Sequence, residues 1–146
     1  MECTIDWGGP SGMLFTASTG SGHVAVMDGA VDGGGHNLAP RPMEMLLAGT
    51  GGCTAYDVVL ILKRGRHAVS GCSVKLQAER ADADPKVFTR IHFAFTVTGR
   101  DLPRAAVERA VQLSHEKYCS ASAMLEKTAE LTFSVDIVDT REAATA

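Results

Sequence analysis

The chain has 146 residues, of which 45% are hydrophobic and 21% charged, and this is the composition of an ordinary globular protein. Its length fits one domain, so we expect residues 1–146 to form a single domain. The net charge of −3 gives no sign of the basic surface that nucleic-acid binding requires, and no nucleic-acid partner is expected. The sequence shows no signal peptide at its start, and its four cysteines lack the close spacing of a secreted disulfide scaffold. These features favour a cytoplasmic protein.

Three short strands are predicted first, at residues 2–7, 13–19 and 23–27, with glycine-rich turns between them. Residues 32–40 then form a glycine-rich loop. This loop lacks the G-x-x-x-x-G-K-[ST] pattern that cradles a phosphate, so we interpret it as a connector to the first helix.

A long helix is predicted over residues 42–66. Pro42 and Glu44 suit a first helical turn, and three basic residues follow the apolar run at its far end. Because the segment between these signals is apolar on most sides, the helix is expected to be buried centrally in the fold. Its longest apolar run is far shorter than the roughly 20 residues that span a bilayer, so no membrane partner is expected.

Three glycines, Gly49, Gly51 and Gly52, precede Cys53 within this helix. Each glycine is expected to cost about 1 kcal/mol relative to alanine. Such positions are used where another backbone, side chain or ligand approaches closely. Two compatible interpretations remain: tight packing against another helix or subunit, and a crevice that exposes the thiol of Cys53.

Two strands are predicted after the helix, at residues 72–79 and 87–97. Apolar and polar residues alternate in both, which is typical of a half-buried antiparallel sheet. Phe88 falls on the more polar face of the second strand. The inward face is expected to carry Cys72, Val74, Leu76 and Ala78 from the first strand and Val87, Thr89, Ile91, Phe93, Phe95 and Val97 from the second.

Asp101 is a candidate N-cap for a helix over residues 102–117. A second short helix is predicted at residues 120–127 and a last strand at 130–138. We expect the tail, residues 140–146, to be frayed. Strands and helices alternate without a regular repeat, so the predicted fold class is α+β with antiparallel sheets.

The cysteines differ in their expected chemistry. Cys119 lies at the break between two helices, where a helix start, with His115 and Lys117 close by in sequence, would lower its pKa. Asp57 lies one turn from Cys53 on the same helix face and would raise the pKa of that thiol. The chain has no C-x-x-C or H-x-x-x-H pair, so the spacing predicts no structural metal site.

The segment PMEMLLAGTGGC ending at Cys53, together with EKYCSAS around Cys119, resembles the OsmC/Ohr family over essentially the whole chain, in particular its less characterised OsmC-like branch. The resemblance implies an intertwined α+β homodimer with antiparallel sheets around the central helix. It also implies a peroxiredoxin-like hydroperoxide reductase in which Cys53 attacks an organic hydroperoxide to give a sulfenic acid. Cys119 would resolve this acid to a disulfide, and an external dithiol would reduce the disulfide without a bound cofactor.

Peroxidases of this family also use an arginine to hold the reactive thiol as thiolate and a glutamate at the start of the helix. Arg41, the first basic residue of the chain, and Glu44 are the candidates for these roles here. Glu44 is the second residue after Pro42, whereas those enzymes place the glutamate directly after the proline. A second hypothesis therefore stands beside the peroxidase: an OsmC-like dimer that binds or senses a small apolar molecule without turnover.

Overall fold

The computed structural model describes residues 1–141, so the predicted tail beyond residue 141 lies outside the described residues. The chain forms two compact units, the N-terminal unit Met1–Ala48 and the C-terminal unit Gly49–Ala146. The α+β class is confirmed, since the described elements comprise two three-stranded sheets and one long helix. In chain order the helices and strands are β1 (Cys3–Trp7), β2 (Phe15–Thr19), β3 (Val24–Met27), α1 (Pro42–Arg64), β4 (Ala68–Arg80), β5 (Phe88–Arg100), α2 (Arg104–Leu113), α3 (Ser120–Leu125) and β6 (Glu130–Asp139).

The N-terminal unit contains an antiparallel sheet in the order β1-β2-β3, which confirms the three predicted strands. The turn between β1 and β2 is closed by the indole of Trp7, whose Nε1–H donates to the carbonyl of Gly12 at 2.9 Å. The connector loop that follows β3 is organised by one buried carboxylate, Asp28, which is 1% exposed.

Asp28 accepts backbone N–H donors from Gly29 at 2.7 Å, His36 at 3.1 Å and Leu38 at 3.0 Å. The donor at Leu38 contributes most to lowering the pKa of Asp28 below its ordinary value of 3.8. A carboxyl group with a depressed pKa stabilises the fold above its unfolded pKa, and this stabilisation is lost as the pH falls through the folded value. The loop should therefore loosen below about pH 3.8.

We expect Asp28→Asn to speed amide hydrogen exchange at His36 and Leu38 by about tenfold or more, because an amide nitrogen replaces one of the accepting oxygens. Exchange measured residue by residue at neutral pH checks this. Asp32→Asn, which changes an exposed carboxylate of the same loop, is the matched control. Equal exchange in both variants would contradict the role assigned to Asp28.

The C-terminal unit contains the second sheet, in the order β4-β5-β6. The strands β4 and β5 pair antiparallel, as predicted, and Cys72 lies opposite Val97. The strand β6 instead runs parallel to β5, with Leu131 opposite Ile91, so the expectation of purely antiparallel sheets is wrong for this pair. The physical reason is the connection: α2 and α3 lie between β5 and β6 and form the long crossover that a parallel pair needs.

The core of the C-terminal unit centres on β5. The predicted inward residues from Ile91 to Val97 are at most 1% exposed, which confirms that face over this part of the strand. Thr89, also predicted on the inward face, is exposed, and Val87 is half-buried, so the prediction is wrong at the start of the strand. Phe88, predicted on the polar face, is also buried, because a register shift between Glu79 and Arg80 turns the start of the strand over. The fully buried residues of β5 are Ile91, Phe93, Phe95 and Val97.

The helix α1 is buried along one stripe rather than on most sides. Its 23 residues include large exposed side chains, among them Tyr56 at 69%, so the expectation of a helix buried on most sides is not met within a single chain. The stripe repeats about every fourth residue, as one helical face does. It consists of Thr50, Gly51, Thr54, Val58 and Leu62.

By length and composition alone α1 could cross a membrane, with a mean hydropathy of 1.6 over its most apolar window. The expectation of no membrane partner rests on the length of the longest apolar run and stays a prediction. The core helix of a soluble protein can have the same length and composition, so these two properties alone do not indicate a span.

The glycines of α1 divide into two kinds. A Cβ added at Gly51 would lie 2.6 Å from Leu76 Cδ1, whereas one added at Gly52 would meet nothing within 4 Å. The close approach expected from the sequence therefore occurs at Gly51, against β4.

We expect Gly52→Ala to raise the free energy of unfolding by about 1 kcal/mol, because alanine is the better helix former and finds open space. Gly51→Ala, the matched comparison, should gain less or lose stability because Leu76 must move. Chemical denaturation of both variants measures the difference. A loss of stability in Gly52→Ala would mean that another molecule packs on this face of α1.

Asp101 does not cap α2. The N-cap position is Pro103, without a side-chain cap, while Asp101 has a φ of +53° and pairs with Arg141 at 2.6 Å. Pro103 intervenes between Asp101 and the first helical residue, so the aspartate lies too early to reach the free N–H groups. Beyond α2, the predicted helical segment continues as a π-helical turn, Ser114–Tyr118.

Candidate functional site

Cys53 and Asp57 lie one helical turn apart on α1, on the flank of its buried stripe. Both side chains are partly buried in the C-terminal unit. The sequence prediction that they share a helix face is confirmed, and the carboxylate lies close to the thiol.

Cys119 sits where the π-helical turn ends and α3 begins, at the break predicted from the sequence. It has an extended backbone, with φ −76° and ψ 100°, and its side chain is 2% exposed. Its sulfur accepts the backbone N–H of Ser122 at 3.4 Å, which caps the short helix. The backbone N–H of Cys119 donates to the carbonyl of Ser114 at 2.8 Å, so the π-helical turn fixes where the thiol points.

The fold brings three reactive groups together in the C-terminal unit. The sulfurs of Cys53 and Cys119 and a carboxylate oxygen of Asp57 all lie within 4.8 Å of one another. Asp57 is held in place by the hydroxyl of Ser114, which is 1% exposed and donates to Oδ2 at 3.0 Å. Cys53 and Cys119 both have free thiols, so the cluster is a dithiol next to a fixed carboxylate.

The pKa of the Cys53 thiol is raised above its ordinary value of 9.0. Burial is the largest cause, followed by the hydrogen bond to Cys119, and the negative charges that Cys119 and Asp57 carry when ionised add to it. The backbone N–H of Ala121 acts in the opposite direction by donating a hydrogen bond to the sulfur. At neutral pH this environment therefore holds Cys53 mainly as the neutral thiol.

Arg41 and Glu44, the other two predicted site residues, pair with each other at the start of α1. The backbone N–H of Arg41 donates to Glu44 Oε2 at 2.9 Å, and the guanidinium Nη1 lies 3.3 Å from Oε1. Glu44 thus occupies the acidic position of a capping box, where its carboxylate satisfies the N–H of the residue preceding the helix. Their described role is structural, and a catalytic role for them stays a prediction.

His115 and Lys117 have described contacts with aromatic rings. The His115 ring lies 4.8 Å from the ring of Phe133, and Lys117 Nζ lies 5.4 Å from the centre of the Tyr118 ring. The sequence suggested that both could add positive charge near Cys119. The causes that shift the pKa of its neighbour Cys53 are instead burial, hydrogen bonds and acidic groups.

The described residues of the C-terminal unit line, among others, two open apolar cavities of about 420 Å³ each. One lies beside the π-helical turn and the other beside α1 and Cys72, whose pKa is raised by burial. Neither lining includes Cys53 or Cys119. The first is lined by Glu108, Val111, Gln112, His115, Phe133, Ser134 and Val135, and the second by Gly52, Ala55, Tyr56, Val59, Leu60, Lys63 and Cys72.

Sequence reasoning missed Ser114 as a member of the site. Asp57 was visible from its spacing to Cys53, four residues along one helix. Ser114 is separated from Asp57 by 57 residues and reaches it through a π-helical turn that the periodicity does not reveal.

Comparison with known proteins gives a consistent result. The family model described as OsmC-like protein matches residues 34–134. Protein YhfA of Escherichia coli K12 is 48% identical over 138 residues, which cover 94% of this chain and 98% of that protein. A hypothetical protein of Aquifex aeolicus VF5 has a solved structure with a TM-score of 0.80 and 28% identity, covering 94% of this chain and 95% of its own.

A solved structure of an organic hydroperoxide resistance protein, OsmC, from Legionella pneumophila shares the fold at a TM-score of 0.66 and 17% identity, with 93% of this chain and 97% of that chain covered. The family model matches more than half of the residues, YhfA is similar over nearly the whole length, and both findings agree with the fold. The chain belongs to the family of OsmC-like proteins.

Proposed function

We propose that the protein is a thiol-dependent peroxidase that reduces organic hydroperoxides and so contributes to defence against oxidative stress. The observation that carries the proposal is the pair of sulfurs, Cys53 and Cys119, within 4.8 Å of each other. Formation of a disulfide needs the sulfurs to close to about 2.05 Å, which rotation of the side chains and a small backbone shift would supply. Family membership supports the proposal, since the related Legionella protein is described as an organic hydroperoxide resistance protein.

The reaction has three balanced steps. The thiolate of Cys53 attacks one peroxide oxygen, the O–O bond breaks, and the alcohol leaves with a proton while Cys53 becomes a sulfenic acid. The thiol of Cys119 then attacks the sulfenic sulfur, which forms the disulfide and releases water. An external dithiol reduces the disulfide by thiol–disulfide exchange and restores both thiols.

The first step requires removal of the proton of Cys53, whose pKa is raised. The N–H of Ala121 is a described group that favours the thiolate. The proposal keeps Arg41 as the candidate that lowers this pKa and Glu44 as its partner, on the strength of the family resemblance. If Arg41 has this role, Arg41→Ala should slow oxidation of Cys53 and leave the fold intact.

We also propose that the active form is a cytoplasmic homodimer. The exposed face of α1, with Tyr56 and the apolar cavity beside it, supports a partner surface on this helix. Its apolar character is what an obligate interface requires. Light scattering of the purified protein tests the oligomeric state directly.

The experiment that tests the function is the intact mass of the reduced, chelator-treated protein after one equivalent of cumene hydroperoxide. We expect loss of two hydrogen atoms within seconds, mapped to a Cys53–Cys119 disulfide, with Cys3 and Cys72 still reduced. A protein that keeps all four thiols under these conditions would overturn the peroxidase assignment.

A second candidate function is binding or sensing of a small apolar molecule. The raised pKa of Cys53 and the open apolar cavity beside α1 favour it. In this case an apolar fluorescent probe should bind to the protein with all thiols reduced and compete with small apolar molecules. The variant Tyr56→Ser, which changes the lining of that cavity, should weaken this binding.

A further inference from the structure

The cluster of Cys53, Asp57 and Cys119 has a composition that suits a metal ion as well as a peroxide. We propose that these three side chains form a binding site for a thiophilic divalent cation of the Zn²⁺ class, with two thiolates and one carboxylate as ligands. The spacing of cysteines and histidines along the chain predicts no such site. The fold creates it by placing α1 beside the start of α3.

The distances between the three possible ligand atoms are close to those expected around a bound metal ion. All three ligand atoms lie within 4.8 Å of one another. Around a tetrahedral zinc ion with Zn–S of about 2.3 Å and Zn–O of about 2.1 Å, neighbouring ligand atoms are about 3.6–3.8 Å apart. The ligands therefore need to approach by roughly 1 Å at most, which side-chain rotation provides.

The ligands also have the supporting hydrogen bonds that metal ligands need. Ser114 donates to Oδ2 of Asp57 at 3.0 Å, which orients the carboxylate and leaves it lone pairs that can bind a metal. Backbone N–H groups reach both sulfurs, from Ala121 to Cys53 and from Ser122 to Cys119. Such donors stabilise thiolate over thiol, as a bound cation requires.

The donor atoms of the cluster suit a cation rather than a neutral ligand. Once both thiols have lost their protons, two thiolates and one carboxylate carry three negative charges, and a divalent ion would neutralise two of them in a partly buried setting. Binding replaces the two thiol protons, so one cation enters and two protons leave. Sulfur ligands select zinc-like ions over magnesium or calcium, and three protein ligands leave a fourth position open.

One consequence rests on the proposed function. Thiolates whose lone pairs are bound to a cation are poorer nucleophiles, so a metal-loaded protein should resist oxidation by hydroperoxide until the ion is removed. Metal occupancy would then keep the dithiol reduced and inactive, and a chelator would release it. Metal binding itself does not depend on whether the protein is a peroxidase.

The test is anaerobic titration of the reduced, metal-free protein with Co²⁺, which reports thiolate ligands by charge-transfer absorption in the near ultraviolet. We expect the absorption band to saturate at one equivalent of Co²⁺. The band should disappear when Zn²⁺ is then added and displaces the Co²⁺. Cys53→Ser and Cys119→Ser should each lose about half of the band or more. Asp57→Asn should weaken Co²⁺ binding at least about tenfold.

Two matched controls belong to the same unit. Cys72→Ser removes a half-buried thiol outside the cluster, and Asp136→Asn removes an exposed carboxylate on β6, so both should titrate like the wild type. Independently of any variant, Zn²⁺ should protect Cys53 and Cys119 of the wild type against alkylation while Cys72 reacts as before.

The inference is overturned if the reduced wild type gives no band, or if the band is unchanged in either cysteine variant. It is also overturned if Zn²⁺ fails to protect the two thiols. Failure of the peroxidase proposal is separate, since it is measured by hydroperoxide oxidation of the metal-free protein. If the protein binds Co²⁺ through these thiols but does not react with hydroperoxide, the metal-site proposal stands and the peroxidase proposal fails.

Discussion

Replacing Cys53 with serine is expected to abolish hydroperoxide consumption, reducing the rate at least about a hundredfold. A serine hydroxyl is not ionised at neutral pH and is a far poorer nucleophile toward peroxide oxygen than a thiolate. Replacing Cys119 with serine should act differently. Cys53 can still react once, so that variant should consume about one equivalent of hydroperoxide and then stop at the sulfenic acid.

The measurement is hydroperoxide loss with and without a dithiol reductant, combined with trapping of the sulfenic acid by a dimedone-type reagent. Trapping should label Cys53 in Cys119→Ser and should fail in Cys53→Ser. Cys72→Ser is the matched control, because its thiol is also partly buried in the same unit yet lies outside the cluster. An unchanged rate in Cys53→Ser would show that Cys53 is not the reactive cysteine. A reduced rate in Cys72→Ser would then assign the chemistry to Cys72.

Most strands and helices of this fold follow from local pattern. The period-two alternation of β4 and β5 and the apolar run of α1 are strong signals, because each buries a face against the same core. The parallel pairing of β6 with β5 carries no comparable signal. The alternating pattern of a strand is the same whether it pairs parallel or antiparallel. The parallel pairing of β6 with β5 follows instead from the crossover connection through α2 and α3.

The burial of α1 could be predicted from the sequence only in part. Apolar residues around a helix predict that it is covered, yet they do not say by what, and in the single chain only its stripe of every fourth residue is covered. A helix whose remaining apolar face is exposed is consistent with the homodimer that the family resemblance implies. The sequence therefore predicted the requirement for burial, and the partner stays a proposal.

Some residues of the candidate site could likewise be predicted from the sequence, and others could not. The two cysteines stand out by their sequence context, and Asp57 by its spacing on one helix. The hydroxyl of Ser114 and the backbone N–H groups of Ala121 and Ser122 come to the cluster from a distant segment. Only tertiary packing of the π-helical turn against α1 places them there, so spacing along the chain could not reveal them.

The variant Asp57→Asn is expected to lower the pKa of Cys53, because the carboxylate is one of the charges that raise it. Asparagine keeps the size of the side chain and an oxygen that can accept from Ser114. Each unit by which the pKa falls multiplies the thiolate fraction about tenfold well below the pKa. Nucleophilicity falls along with the pKa, so the rate of alkylation by iodoacetamide at pH 7 should rise by a few-fold rather than by the whole factor.

The sign of the accompanying stability change follows from the same shift. A thiol whose pKa is raised on folding stabilises the folded state fully below its unfolded pKa, near 9.0, and this contribution is lost as the pH rises through the higher folded value. Asp57→Asn should shrink that alkaline loss, and Asp136→Asn should leave it unchanged. The pH profile of Cys53 alkylation, followed by peptide mapping in the metal-free protein, separates the two variants. A profile for Asp57→Asn that coincides with the wild type would mean that the carboxylate does not act on the thiol, and burial and Cys119 alone would then raise its pKa.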